Sequence, residues 1–443
     1  MTENVSSKLV WIAIAALCTV PVLIWFLMRP LSARFGGAFQ TFTSLGQLVS
    51  LVGFALMAMV IILAARLRFI ERGMRGLNHV FINHHILGTT AFILLLAHPI
   101  FLTLAYLTFS TRSAALFLVP SLATWPQALG SLALLSIIGL LTITFYLSWC
   151  YEVWKFSHRF LALAFFLAFF HVAFISSDVS RNLFLRTYLL SLGGLALIAY
   201  GYRLLVEFGH FGKYYYAVTG VREVVPRVWE ISLAPLSRPL AYEAGQFAFF
   251  DFTDPGLASE SHPFSFVSLP DESEIKIATK ALGDYTEKLA KLKVGTTVRL
   301  EGPYGAFGGK MSRSVESGLK STDEIWVAGG IGITPFVSLA KSLLKNPGRR
   351  ADLFYSVRNE GEAAYLSELE ELARQIPNFR LISYFSDKSG LLTANQIEQR
   401  GGPLVGRCFY ICGPAPMMSS LREQLRVKGV PTGNIKTERF ALD

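Results

Sequence analysis

The chain has 443 residues, of which 52% are apolar and 16% charged, with a net charge of +10. Soluble domains carry about 25% charged residues, so a single soluble globule is excluded, as are a disordered chain and a small disulfide scaffold. Residues 1–210 hold 13 Lys and Arg against 5 Asp and Glu, whereas 211–443 hold 28 against 26. The first half reads as membrane-embedded and the second as water-soluble. The basic excess sits in the apolar half, so it does not signal nucleic-acid binding. The four cysteines (Cys18, Cys150, Cys408, Cys412) form no CxxC pair, so neither a zinc ribbon nor an iron–sulfur cluster is expected.

In chain order, six apolar runs of spanning length appear near 9–28, 45–65, 81–107, 128–149, 159–176 and 187–206. The first is too long for a signal peptide and is read as a retained helix, kinked at Pro21. Lys and Arg are denser in the loops after spans 2 and 4 (Arg66, Arg68, Arg72, Arg75; Lys155, Arg159) than in the opposite loops. This bias places both termini, and the soluble half, in the cytoplasm.

Histidine inside a span is costly and marks function by default. Span 3 carries His84, His85 and His98, and span 5 carries His158 and His171. Spans 3 and 5 run parallel, and each places histidines about 20 Å apart along its axis. His84 therefore pairs in depth with His158, and His98 with His171. Two stacked bis-histidine haems are the expected occupants, with interhelical hydrogen bonding as the alternative. Thirteen residues turn a helix to about 140° from its starting direction, so span 5 needs a bend, a local bulge or differently rotated haems to serve both histidine pairs. His84 is preferred over His85 by the same angles, and His79 and His210 lie unmatched at the membrane edge.

From Lys213 the periodicity changes. Alternating runs at 227–233, 246–252, 274–280 and 296–301 predict a small antiparallel β-barrel. After about 322, strands near 324–328, 352–357, 380–385, 407–411 and 434–438 alternate with helices near 335–346, 363–375, 393–400 and 415–428. That pattern predicts a doubly wound parallel sheet. Its first strand enters Gly329, Gly330 and Gly332, then Thr334 at an expected N-cap and Pro335 at the first helical position. A glycine turn before a helix N-terminus suits a pyrophosphate. The expected domains are a six-helix membrane domain (1–210), an antiparallel flavin barrel (211–315) and an α/β nucleotide domain (316–443).

Several motifs in this half resemble those of the ferredoxin–NADP reductase family. His262-Pro263-Phe264-Ser265 resembles its flavin motif, Gly283-Asp284-Tyr285-Thr286 its flavin-phosphate segment, and Gly302-Pro303-Tyr304-Gly305 its interdomain loop. Gly329–Pro335 resembles its pyridine-nucleotide loop, and Cys412-Gly413-Pro414 the segment beside the nicotinamide. Glu438-Arg439-Phe440 resembles the tail whose aromatic ring stacks on the flavin. Joined to six spans with two histidine pairs, the whole resembles the NADPH oxidase and ferric reductase superfamily, in the form of the compact bacterial NADPH oxidases. Some relatives have arginine where His262 stands, and oxidases often carry a cation near the start of span 2, where this chain has Gln47.

The resemblance implies FAD, NADPH or NADH, and two b-type haems in a bacterial inner membrane. Electrons would pass from nicotinamide to FAD, to an inner haem (His84, His158), to an outer haem (His98, His171) and to oxygen, forming superoxide. A ferric-chelate reductase, or a cytochrome b donor to a periplasmic partner, would use the same pathway. The expected partners are the lipid bilayer and a small-molecule acceptor, oxygen or a ferric chelate, with no nucleic acid, and a protein partner is left open. Cys412 stands either beside the hydride path or as a small buried residue, and Phe440 either on the flavin or in a core. Arg358 follows the second strand of the parallel sheet, where a cation meets a 2′-phosphate, unless it is simply solvated. Arg66, Arg68, Lys155 and Arg159 set topology or pair with haem propionates.

Overall fold

The computed structural model describes residues 2–74, 76–146, 151–209, 212–257, 260–305, 307, 323–345 and 348–438. Two compact units divide the chain, one of 7–74 with 79–210 and the other of the remainder.

The first unit holds six helices long and apolar enough to cross a membrane: Val10–Leu27, Ala38–Ala64, Leu77–Leu107, Leu122–Thr144, Val153–Phe174 and Leu183–Phe208. In lipid every backbone polar group must be satisfied internally, so continuous apolar sequence of this length folds as helix. This is a multi-pass membrane protein. The second span is the most enclosed and lies against the sixth. Small residues permit that approach: a Cβ on Gly193 would stand 2.7 Å from Phe169 Cδ2 and 3.0 Å from Phe54 Cζ. The fifth span is interrupted. Helix Tyr151–Arg159 ends at Phe160, and helix Leu161–Phe174 begins beyond it. The Phe160 N–H donates to the Ser157 carbonyl at 3.1 Å, a tighter turn than an α-helix makes. The break falls between His158 and His171, and a bend there is one of the three arrangements that the helix angles allow.

The second unit begins with a six-stranded antiparallel sheet: β1 (Tyr214–Val225), β2 (Val228–Pro235), β3 (Phe247–Thr253), β4 (Ser261–Ser265), β5 (Ile275–Lys280) and β6 (Thr297–Tyr304). Their order is β4-β3-β6-β1-β2-β5. The edge strands meet, because Phe266 bridges Ile277 and the Val267 N–H donates to the Lys276 carbonyl at 2.8 Å. The sheet therefore closes into a barrel around Phe250, Phe252, Phe266, Ile277 and Leu300.

Two strands are absent from the sequence reading. β1 shifts register between Val218 and Gly220 and again between Glu223 and Val225, which erases its period-2 pattern. β4 contains Pro263, which argues against a strand, and it is accommodated because β4 starts from a sheet edge.

A parallel sheet follows: β7 (Asp323–Gly329), β8 (Arg350–Val357), β9 (Phe379–Phe385), β10 (Cys408–Cys412) and β11 (Ile435–Glu438), in the order β11-β10-β7-β8-β9. Helices Thr334–Leu343, Leu366–Gln375, Ala394–Gly401 and Ala415–Val427 fall between the strands. One apolar cluster runs through both lobes, joining Val228, Val267 and Ala278 of the barrel to Trp326, Phe336 and Leu339 of the nucleotide domain.

Candidate functional site

The nucleotide loops are built from backbone. β7 and β10 are neighbours whose connections leave in opposite directions, which makes their carboxyl ends a topological switch point. Gly329, Gly330 and Gly332 lie at the end of β7, and Cys412, Gly413 and Pro414 at the end of β10. A Cβ on Gly413 would stand 2.9 Å from Gly329 Cα, and one on Gly329 2.9 Å from Pro414 Cδ. A Cβ on Gly332 would overlap the Cys412 carbonyl. Gly330 has φ +55°, in the left-handed region, with open space beside it. A tight turn, Gly330–Ile333, precedes the helix, so the N-cap is Ile333 rather than Thr334. Thr334 Oγ1 donates to the Ile331 carbonyl at 3.1 Å, and Pro335 stays in the first turn.

Cys412 is 1% exposed, between Ala328 and Glu438 on the neighbouring strands. Burial pushes its thiol well above the ordinary range, and the charge of Glu438 adds to the shift. It stays protonated at neutral pH and is neither a nucleophile nor a proton carrier there. Arg358 is exposed beyond β8, and nearby Glu362 is taken up by Lys280 at 3.1 Å. Phe440, Arg439, His210 and Cys150 lie outside the described residues.

The flavin segments converge on neighbouring strands. His262, Pro263, Phe264 and Ser265 form most of β4, and Pro263 faces Phe249 in register. His262 Nε2 lies 3.0 Å from Glu260 Oε2, and its ring packs on Tyr285 with centroids 3.9 Å apart. That contact joins the first flavin segment to the second. Burial pushes the Tyr285 hydroxyl upward, so it remains a donor. Ser265 Oγ is buried and has no partner among the described residues. Such an orphaned hydroxyl fits a polar ligand seated against β4. Thr286 Oγ1 accepts from the Leu282 and Gly283 N–H groups at 3.0 and 3.1 Å, closing its own turn. Gly302 packs where a Cβ would stand 2.9 Å from Ala248 Cβ. Tyr304 is buried between Phe247 and Phe249, with its hydroxyl donating to Glu301 at 2.8 Å.

The membrane unit places its chemistry in side chains. His84 Nδ1 is 3.1 Å from the Val60 carbonyl, His98 Nδ1 is 2.8 Å from that of Gly46, and His171 Nδ1 is 2.7 Å from that of Pro126. A carbonyl only accepts, so each Nδ1 carries the proton and each Nε2 keeps its lone pair. Metal-ligating histidines are held in this way. His158 Nδ1 is buried without a partner among the described residues, and Trp154 stacks on its ring at 5.4 Å. A Cβ on Gly130 would stand 2.7 Å from His171 Nδ1, so that glycine makes room for the ring.

The rings of His84 and His158 have centroids 6.2 Å apart. Two imidazoles on opposite sides of one metal, with metal–nitrogen bonds of about 2 Å, give about the same separation. His85 is exposed beside His84. Among the described residues no group of three or more His, Cys, Asp or Glu gathers. Pairs remain, which is the number an iron already held by a porphyrin requires, so the donor set fits haem.

Sequence reading missed Arg34. Its side chain is 2% exposed and pairs with Asp178 at 3.0 Å. It also donates to the Trp25 carbonyl and lies over the Trp25 ring, 3.3 Å from the centroid. Trp25 Nε1 in turn donates to Gln47 Oε1 at 2.9 Å. A cation therefore does stand beside the start of the second span, delivered by the preceding loop. Its signal is an arginine and an aspartate far apart in two short loops, which spacing alone does not connect. Arg159, considered as a propionate partner, pairs with Glu207.

Fold and site define a class: a membrane-spanning oxidoreductase with a flavin barrel and a nicotinamide-nucleotide domain. Comparison with protein families bears this out. A ferric reductase like transmembrane component matches residues 49–169, an FAD-binding domain 221–307 and an oxidoreductase NAD-binding domain 326–423. The chain thus joins a ferric reductase-like transmembrane domain to FAD-binding and NAD-binding domains, a combination that matches the NADPH oxidase and ferric reductase superfamily. It is 28% identical over 240 residues to a toluate 1,2-dioxygenase electron transfer component of Pseudomonas putida, covering 52% of this chain and 68% of that one. It is 26% identical over 223 residues to a flavohemoprotein of Rhizobium meliloti, covering 46% of this chain and 53% of that one, about half its length. Among solved structures, an Amycolatopsis cytochrome P450 reductase aligns with a TM-score of 0.45 and 21% identity, over 52% of this chain and 69% of that one.

Proposed function

We propose that the protein is a transmembrane NAD(P)H oxidase of a bacterial inner membrane, with both termini in the cytoplasm. It moves electrons from cytoplasmic NADPH to oxygen on the far side and releases superoxide. One hydride supplies two electrons, so one NADPH and two oxygen molecules give NADP⁺, a proton and two superoxide ions. A bound flavin takes up electron pairs and releases them singly, and histidine-ligated iron carries them one at a time.

The observation that supports this most is the carbonyl hold on His84, His98 and His171, which leaves each Nε2 as an open donor. His84 and His158 would hold the inner haem, and His98 and His171 the outer. Ser265 and the His262–Tyr285 pair would seat the flavin, and the paired glycine loops the nucleotide. Arg358 would favour NADPH; of the two carboxylates that dilute its charge, Glu362 is drawn to Lys280 and Glu360 stays nearby.

The match to a ferric reductase like component favours a second reading, reduction of a ferric chelate by the same route. Purified protein given NADPH is tested for superoxide and for ferric-chelate reduction. Superoxide formation supports the oxidase, and chelate reduction insensitive to oxygen, without superoxide, replaces it with the reductase.

A further inference from the structure

The seam between the flavin barrel and the nucleotide domain is closed by shared apolar packing and by polar ties. Ser338 Oγ donates to the Ser268 carbonyl at 2.8 Å, Lys280 meets Glu362 at 3.1 Å, and the Tyr365 hydroxyl donates to Glu230 Oε2 at 2.8 Å. The last tie differs from the others in three respects.

Its backbone is strained. Tyr365 has φ +61°, and among the described residues only Arg66 and Arg227 share a positive φ without being glycine. Such strain persists only where the surroundings over-determine it, and it collects at functional positions. Its acceptor is a buried carboxylate: Glu230 is 6% exposed, and its other oxygen takes Arg222 Nε at 3.1 Å and Nη2 at 2.8 Å. Burial, together with the Glu230 charge, pushes the Tyr365 hydroxyl far above its ordinary range, so it donates at every working pH. Finally, Tyr365 ends the segment that begins at Arg358. That segment is pinned to β5 through Glu362 and to β2 through Tyr365. Apolar packing alone would need neither the strained backbone nor the buried charge.

We propose that the Tyr365–Glu230 hydrogen bond, backed by Arg222, is a positioning tie that sets how the nucleotide domain presents its nicotinamide to the flavin. Tyr365 and Glu230 act through the domain seam and touch neither reactant. The proposal rests on the flavin and nicotinamide half of the reading above and is independent of the haems. Its physical basis is the sensitivity of transfer to geometry, since a misplacement of about 1 Å costs about 100-fold in rate.

The test is rapid-mixing reduction of the bound flavin by NADPH in the full-length protein, with deuterated NADPH in parallel. Tyr365→Phe removes only the hydroxyl. It should slow flavin reduction at saturating NADPH by about tenfold and enlarge the deuterium isotope effect. NADPH affinity and FAD content should stay unchanged, and the melting temperature should fall only by the few degrees that one hydrogen bond to a charged group is worth. Glu230→Gln keeps an acceptor for Tyr365 and should fall between the wild type and Tyr365→Phe. Wild-type flavin reduction in both variants overturns the proposal. So does a loss of rate that tracks lost FAD, or that disappears when the variant is compared at the same distance below its melting temperature, because the tie is then only structural. If the wild type itself fails to reduce its flavin with NADPH or NADH, the underlying reading falls instead.

Discussion

On the proposed reading the membrane unit and the reductase unit would solve the same problem, holding a redox group, by opposite means. In the membrane unit the donors are side chains, and backbone carbonyls of other spans aim them: Val60 for His84, Gly46 for His98 and Pro126 for His171. In the nucleotide loops the backbone itself is the binding surface, and side chains are excluded wherever Gly329, Gly332 and Gly413 meet neighbouring backbone or Pro414. A site made of side chains should break when one is deleted. A site made of backbone should break when one is added.

The largest effect tests the first half of that contrast. His98→Ala should remove about half of the haem absorbance, one ligand pair of two, and end electron delivery to the outer acceptor. Flavin reduction by NADPH should continue. Unchanged haem content by absorption spectroscopy would sink the assignment of His98.

The second half is tested by Gly332→Ala, a single methyl placed against the Cys412 carbonyl. NADPH-driven flavin reduction should fall by about 100-fold while FAD and haem contents hold, because the two loops must part. Flavin titration with a chemical reductant separates lost nucleotide binding from a lost flavin.

A smaller effect comes from breaking the rule within the membrane unit. Gly130→Ala crowds His171 Nδ1 without deleting a donor. The histidine should stay but turn, so the low-spin signal of the ferric protein shifts in electron paramagnetic resonance at nearly full haem content. An unaltered signal would mean the bundle spreads to absorb the methyl. The smallest expected effect is at the surface. Arg358→Ala should lower the preference for NADPH over NADH by about fivefold or less in kcat/KM, the weight of one solvated charge contact.

The same contrast explains what the sequence disclosed. Six spans were legible because lipid permits one backbone solution and twenty apolar residues announce it. The approach of His84 to His158 agrees with the helical rise, and the chain breaks at Phe160, one of the arrangements that the angles of span 5 allow. The parallel sheet was legible through its glycine turn and its alternation of strand and helix. β4 was hidden, because Pro263 counts against a strand until the strand is known to lie at a sheet edge. β1 was hidden by its own register shifts. Arg34 was hidden because its importance comes from Asp178, which approaches only in three dimensions. Motif resemblance picked out the segments proposed to hold flavin and nucleotide, but not the Tyr365–Glu230 tie, which spans 135 positions.

The pairing of Arg34 with Asp178 also bears on how the protein is made. The two residues are 144 positions apart, with the second, third, fourth and fifth spans between them. During synthesis Arg34 emerges early and has no carboxylate to meet until the loop after the fifth span exists. A chain halted before that point would keep a guanidinium without its counter-charge at a span end, which is costly in hydrocarbon and recognisable as unfinished. Closing the pair would therefore mark the moment at which the first and last parts of the bundle have found each other, so that a buried ion pair doubles as a seal on assembly.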